Sequence, residues 1–246
     1  MGAALNRHHV LLNESITSCS GYVFQIIGDA FCAAFATAED GLQAALQAQR
    51  TLAAEEWGQS GPIRVRMALH TGNARAKVGE YTSGEYTSGL TLSRAARLLS
   101  AGHGGQILLS LSTAELVRDH IPDSVTLRDM GAHRLKDLLR PEHIYQASAP
   151  DLPQEFPPLK TLDARPNNLP AQLTNFIGRE THLEQVRQML SHNRLVTLTG
   201  PGGTGKTRLS LQVCAELIDA FEHGVWFVEL ASLTDGGLIP QRLPPS

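Results

Sequence analysis

The chain has 246 residues, a formal net charge of −3, 42% hydrophobic residues and 18% charged residues. That length suits one or two domains, and so mild a negative balance gives no electrostatic basis for binding nucleic acid or a membrane surface. No apolar run approaches the ~20 residues of a membrane span, and the start lacks the pattern of a secretory signal. The three cysteines, Cys19, Cys32 and Cys214, are far apart and odd in number, so a cytoplasmic protein with reduced thiols is expected.

In chain order, residues 3–17 read as a helix. Two apolar runs, 22–27 and 30–35, flank Gly28-Asp29, a two-residue connection that predicts a β-hairpin. Thr37-Ala38-Glu39-Asp40 has the form of a capping box, and the Ala- and Leu-rich stretch to Trp57 reads as a helix. Residues 63–70 alternate with strand period. Residues 90–100 read as a helix stopped by Gly102, and 106–110 as a strand. Ser112-Thr113-Ala114-Glu115 predicts a second capping box, opening a helix to His120. Residues 127–146 predict short strands about a turn at Leu139-Arg140-Pro141. Gly79-Glu80-Tyr81-Thr82-Ser83 repeats at once as Gly84-Glu85-Tyr86-Thr87-Ser88, a duplication that a loop tolerates. The ten histidines are scattered. His8 and His9 are adjacent and on a helix would point apart, which argues against a shared metal.

Residues 150–170 hold six of the thirteen prolines, so 149–172 is expected to be a linker between domains at 1–148 and 173–246. Beyond it, residues 181–190 read as a helix, 195–199 as a buried strand, 208–221 as a helix and 225–230 as a second apolar strand. Between strand and helix lies Gly200-Pro201-Gly202-Gly203-Thr204-Gly205-Lys206-Thr207, which satisfies G-x-x-x-x-G-K-[ST] at every fixed position. Glycines let backbone N–H groups approach a polyphosphate, and the helix N-terminus favours the anion. Gly200, Gly202, Gly203, Thr204 and Gly205 would line the phosphates, Lys206 would reach the outer ones, and the Thr207 hydroxyl would ligand Mg²⁺. Hydrolysis needs a further acidic residue and a group that orients water, and the residues after Thr207 offer neither in an evident pattern.

The run Gly21-Tyr22-Val23-Phe24-Gln25-Ile26-Ile27-Gly28-Asp29-Ala30-Phe31 resembles the central hairpin of class III nucleotidyl cyclases. Arg66-Met67-Ala68-Leu69-His70-Thr71-Gly72 resembles their next core strand, and Ser93-Arg94-Ala95-Ala96-Arg97-Leu98 their catalytic helix. Leu135-Lys136-Asp137-Leu138 and Ile144-Tyr145 resemble the end of that domain. The resemblance implies a ferredoxin-like α+β sandwich whose active sites form between two such domains. It implies cyclisation of a nucleoside triphosphate with two metal ions. Asp29 matches the second of the family's two metal-binding Asp. The first would lie on a strand before the opening helix, for which this sequence has no room. Ser93 stands where the family has a ribose-orienting Asn, and Arg97 matches the Arg that neutralises phosphate charge. Gln25 replaces a purine-selecting Lys, and the purine-selecting Asp falls near Glu85 or Tyr86. Lys136 matches a triphosphate-contacting Lys.

Each residue also has a plain reading: Asp29 as a turn residue, Arg97 as a salt-bridged helix residue, Ser93 as an ordinary helix residue and Lys136 as a surface lysine. Losing one electrostatic stabiliser of a transition state costs about 10²–10³ in rate, so the departures together imply little or no cyclase activity.

Asn175-Phe176-Ile177-Gly178-Arg179-Glu180, the following helix and the phosphate loop resemble the start of STAND signal-transduction ATPases, the group with NB-ARC-type domains. In that family the Gly-Arg-Glu segment packs near the adenine. The expectation is therefore a cyclase-like α+β domain followed by a truncated α/β P-loop NTPase domain, in a bacterial signalling regulator that binds Mg·ATP. Three alternatives stay open. One is an active adenylate or guanylate cyclase completed by a homodimer or partner domain. The others are a non-enzymatic interaction module and a gene fragment without function.

Overall fold

The computed structural model describes residues 2–74, 76–77, 85–86, 89–136, 138, 140–170 and 178–231. The chain divides into two compact units, Met1–His133 with Pro141–Leu159, and Arg134–Arg140 with Lys160–Ser246.

The first unit runs α1 (Gly2–Ser18), β1 (Tyr22–Ile27), β2 (Ala30–Ala34), α2 (Ala38–Ala54), β3 (Met67–Leu69), β4 (Ala76–Lys77), β5 (Glu85–Tyr86), α3 (Gly89–Ala101), β6 (Ile107–Ser110), α4 (Leu111–Val117), β7 (Thr126–His133) and β8 (Glu142–Ser148). Four strands form one sheet in the order β3-β6-β8-β7. β3 and β6 are parallel, and the other pairs are antiparallel.

β6 is buried at all four positions. Alternate side chains on a strand point to opposite faces. Ile107 and Leu109 join a core with Leu42, Ala45 and Leu46 of α2, Ala114 and Val117 of α4, and Tyr145 and Ala147 of β8. Leu108 faces the other way, toward Gly102 at the end of α3, and is fully buried there.

α2 opens as its sequence predicts, with the Thr37 side chain accepting from the Asp40 N–H at 3.1 Å. The expected capping box at Ser112 is corrected. α4 begins at Leu111, and the Ser112 Oγ instead donates to Thr71 O at 2.9 Å, because that hydroxyl is held by the end of β3. The strand expected over 63–70 is shortened to Met67–Leu69. Its preceding residues keep single bonds, such as Gly105 N–H to Val65 O at 2.9 Å, without forming a ladder.

The β1–β2 hairpin turns at Gly28-Asp29 as expected, with Ile27 opposite Ala30. It is a separate two-stranded sheet. Among the described residues the hairpin and the main sheet share a support rather than a ladder. Phe31 of β2 and Met67 of β3 both pack on the cluster of Leu11 and Leu12 of α1 with Ala48 and Leu52 of α2. The duplication at 79–88 lies outside the described residues, apart from the backbone pairing of β5 with β4.

The Pro-rich segment is docked chain rather than a loose linker. Ala149, Leu152 and Leu159 are buried, and Arg50 makes a two-point ion pair with Asp151 at 2.6 and 3.2 Å. From Lys160 onward the segment belongs to the second unit. There Arg134 bonds Asp163 through its backbone N–H at 2.6 Å and its side chain at 2.7 Å, and donates to Asn167 Oδ1 at 3.1 Å.

The second unit holds α5 (Glu180–His192) and α6 (Lys206–Leu217). Leu183 and Val186 of α5 pack against Leu209 and Val213 of α6, with Val196 and Leu198 added from the run between the helices. The strands expected at 195–199 and 225–230 are corrected. The first alternates as a strand does, with Leu195 83% exposed beside packed Val196, but pairs with no neighbour among the described residues. The second makes one parallel bridge, Val225 to Asn167. Its partner segment contains prolines at 166 and 170, which lack the N–H a ladder needs. The Asn168 side chain acts in place of backbone, donating to Phe227 O at 2.9 Å and accepting from Phe227 N–H at 2.6 Å.

Gly224 and Gly131 both have φ near +87°. A Cβ on Gly131 meets nothing within 4 Å, whereas one on Gly224 overlaps the Pro166 carbonyl. Gly131→Ala should therefore cost about 1–2 kcal/mol of conformational strain. Gly224→Ala should cost more and release residues 160–170, read as faster amide exchange in that segment.

Candidate functional site

The glycine loop at 200–207 is built by local backbone geometry. Gly200, Gly203 and Gly205 have φ of +146°, +75° and +76°, a region that side chains disfavour. Gly205 is the left-handed residue that opens α6, and Leu209 N–H returns the first helical bond to Gly205 O at 2.9 Å. The Lys206 ammonium folds over the loop, donating to Gly200 O at 2.8 Å and Pro201 O at 2.7 Å. The Thr204 hydroxyl donates to Pro201 O at 2.9 Å. Thr207 is exposed in the first turn of α6, which fits one hydroxyl ligand for a nucleotide-bound Mg²⁺.

α5 and α6 lie side by side and run the same way. At their starts the Arg179 guanidinium stands 3.5 Å from where a Gly205 Cβ would be. Further along, Arg187 of α5 lies 3.9 Å from Glu216 of α6. Lys136 is at the other end of α6, where its ammonium donates to Glu216 O at 3.4 Å. Ten residues of helix, about 15 Å, separate that contact from Lys206, so Lys136, matched in sequence to a cyclase triphosphate contact, is apart from the glycine loop.

The remaining expected site residues are in the first unit. Asp29 is at the hairpin tip and makes no hydrogen bond or ion pair among the described residues, although its charge acts on His8. Ser93 and Arg97 are half-buried one turn apart on α3, which packs on β3 and β6. No hydrogen bond or ion pair among the described residues links Asp29 to either one. The positions near Glu85 and Tyr86 expected to select a purine lie outside the described side chains. Among the described residues no three His, Cys, Asp or Glu side chains converge as a metal set. Asp29 supplies one carboxylate, and among the described residues no further acidic side chains converge with it into the two-metal centre of a cyclase.

Sequence reasoning missed a polar network at the end of β3. His70 Nδ1 lies 2.8 Å from Ser110 Oγ, which is 3.2 Å from Thr113 Oγ1, which is 3.1 Å from Thr71 Oγ1. Its members are about forty residues apart, so no local spacing announces it. Burial pushes the His70 pKa down, and the nearby Arg94 charge adds to this. All three cysteines are unpaired. Among the described residues no helix is long and apolar enough to cross a membrane.

The layered sheet with its hairpin defines an α+β domain of the nucleotidyl cyclase type. Residues 1–143 match the adenylate and guanylate cyclase catalytic domain, and the chain belongs to that family. An uncharacterised protein of Mycobacterium tuberculosis is 39% identical over 186 residues, covering 74% of this chain and 61% of that relative. The chain thus spans less than two thirds of the relative's length. The adenylyl cyclase CyaB of P. aeruginosa superposes with a TM-score of 0.53 at 25% identity, over 62% of this chain and 85% of that one. The guanylate cyclase domain of RhGC from Catenaria anguillulae, solved in complex with GTP, shares the fold with a TM-score of 0.53 at 20% identity, over 61% of this chain and 84% of that one.

His8 gives a pH test of the first unit. It is 4% exposed, and its Nδ1 has no partner among the described residues. Its ring lies 5.6 Å from that of His9 and 6.2 Å from that of Phe31. Burial lowers its pKa, His9 lowers it further, and Asp29 opposes both. The unfolded chain therefore takes up a proton near pH 6.5 that the folded chain still refuses. Stability should fall as pH drops below about 6.5, until the folded pKa is reached. His70 contributes in the same direction. His8→Leu should reduce, without abolishing, the loss of melting temperature between pH 7 and pH 5.

Proposed function

We propose that this protein is a nucleotide-binding signalling protein of the cyclase family. Gly200, Gly202, Gly203, Thr204, Gly205, Lys206 and Thr207 hold the phosphates of Mg·ATP. The cyclase-type domain has little or no cyclase activity of its own. The observation that carries this reading is the loop itself: three left-handed glycines turn directly into α6, with the Lys206 ammonium already over the loop. Backbone amides at a helix N-terminus, a lysine and a hydroxyl suffice to bind a polyphosphate. The catalytic reading is weakened by Ser93 at the ribose-orienting position and by the lack, among the described residues, of a converging metal-ligand set at Asp29.

The second reading, a cyclase completed by another copy or a partner domain, is favoured by the retained Asp29 and Arg97. It makes the rate depend on protein concentration.

Calorimetry with Mg·ATP on wild type, Lys206→Ala and Asp29→Asn separates the two. The expected result is binding by wild type and Asp29→Asn, at least tenfold weaker binding by Lys206→Ala, and no cyclic nucleotide above background. A yield of cyclic nucleotide that vanishes in Asp29→Asn would overturn the first reading and establish the second. Wild type that is folded and binds no ATP would remove the phosphate-loop reading.

A further inference from the structure

We infer that Arg179 is a phosphate-binding residue of the nucleotide site, in place of the base-side position that the resemblance of its segment implies. The inference rests on the reading of Gly200–Thr207 as a polyphosphate site and adds the residue that closes it.

Arg179 caps the start of α5, with Leu183 N–H bonded to its carbonyl at 3.0 Å. Its side chain takes no part in that cap and reaches across to the start of α6. Nη1 lies 3.5 Å, and the guanidinium carbon 4.0 Å, from the site a Gly205 Cβ would occupy. Glycine at 205 thus serves twice, admitting the left-handed turn and leaving room for the guanidinium against the loop backbone.

The electrostatics of this corner are unbalanced. Two parallel helices bring their positive N-terminal ends together, and each end carries about half a unit charge. Lys206 and Arg179 add two full charges beside them. Among the described residues neither cation has a carboxylate partner, since Lys206 is held only by loop carbonyls. The nearest acid in sequence is Glu180, whose Oε1 accepts from Gly178 N–H at 3.2 Å. That one carboxylate offsets a single helix end. A half-buried guanidinium without a counter-charge is costly, and a polyphosphate against the loop amides supplies one. Arginine suits the task because its planar fork binds two phosphate oxygens at once.

The test is calorimetric titration of the full chain with Mg·ATP and, separately, with inorganic tripolyphosphate, which has no base or sugar. Wild type, Lys206→Ala, Arg179→Ala and Arg179→Lys are compared, with melting temperatures confirming that each is folded. A lost charged hydrogen bond weakens binding by roughly 10- to 100-fold. Arg179→Ala should show that loss equally for both ligands, and Arg179→Lys should recover part of it. Loss for ATP with tripolyphosphate unchanged would put Arg179 on the base side and overturn the inference. So would unchanged binding of both ligands by Arg179→Ala. In either case an intact effect of Lys206→Ala leaves the phosphate-loop reading standing. If wild type binds neither ligand, that reading falls and takes this inference with it.

Discussion

The first unit depends on keeping β6 out of water on both faces. A strand with every side chain buried needs cover above and below, and neighbours on both edges for its backbone groups. α2 and α4 supply one cover, α3 supplies the other, and β3 and β8 satisfy the edges. This places α3, and with it Ser93 and Arg97, against β3 and β6. A second buried feature reinforces the frame. Gln106 donates to Gln146 Oε1 at 2.7 Å, and Gln146 donates onward to Gln154 O at 2.8 Å. Buried amides need all their partners, so this chain of bonds ties the Pro-rich segment to the sheet at a fixed register.

The second unit works differently. Its apolar cluster is small, and the extended run between its helices is held by packing of Val196 and Leu198 rather than by a ladder. Its order comes from polar substitutions for backbone pairing: Asn168 bracketing Phe227, and Arg134 joining Asp163 and Asn167. Such contacts are individually worth about 1 kcal/mol and are specific in direction. The lysine of the loop is treated the same way. Its ammonium donates to the Gly200 and Pro201 carbonyls.

What was legible in the sequence was local. The hairpin at Gly28-Asp29, the cap at Thr37, the stop at Gly102 and the glycine loop before Lys206 each follow from a few adjacent residues, and each is present. The failures share one cause. Ser112 was read as a cap because its neighbours fit, but its hydroxyl is bonded to Thr71, far away in sequence. Residues 195–199 have the composition of a strand, yet a strand exists only if another pairs with it. The Pro-rich stretch reads as a linker from its prolines and its lack of periodicity, and neither feature shows the burial of Leu152 and Leu159 or the ion pair of Asp151 with Arg50. Arg179 was legible as part of a segment but not as a neighbour of Gly205, because that depends on the parallel packing of α5 on α6.

The same division between local and non-local geometry bears on chemistry. A glycine loop made of eight consecutive residues carries its geometry in its own backbone, so it tolerates rearrangement elsewhere. A cyclase centre needs a metal-binding carboxylate and a charge-neutralising arginine placed to within about 0.5 Å of each other's proper positions. Here Asp29 lies on a hairpin and Arg97 on a helix against a separate sheet. Among the described residues no hydrogen-bonded ladder joins the two. Their common support is the helical layer of α1 and α2 beneath Phe31 and Met67. Side-chain packing of that kind sets a distance less strictly than a ladder does, because apolar contacts are non-directional. The geometry of the glycine loop is therefore set within one short stretch of chain, whereas the placement of Asp29 relative to Arg97 depends on what else fixes the hairpin to the sheet.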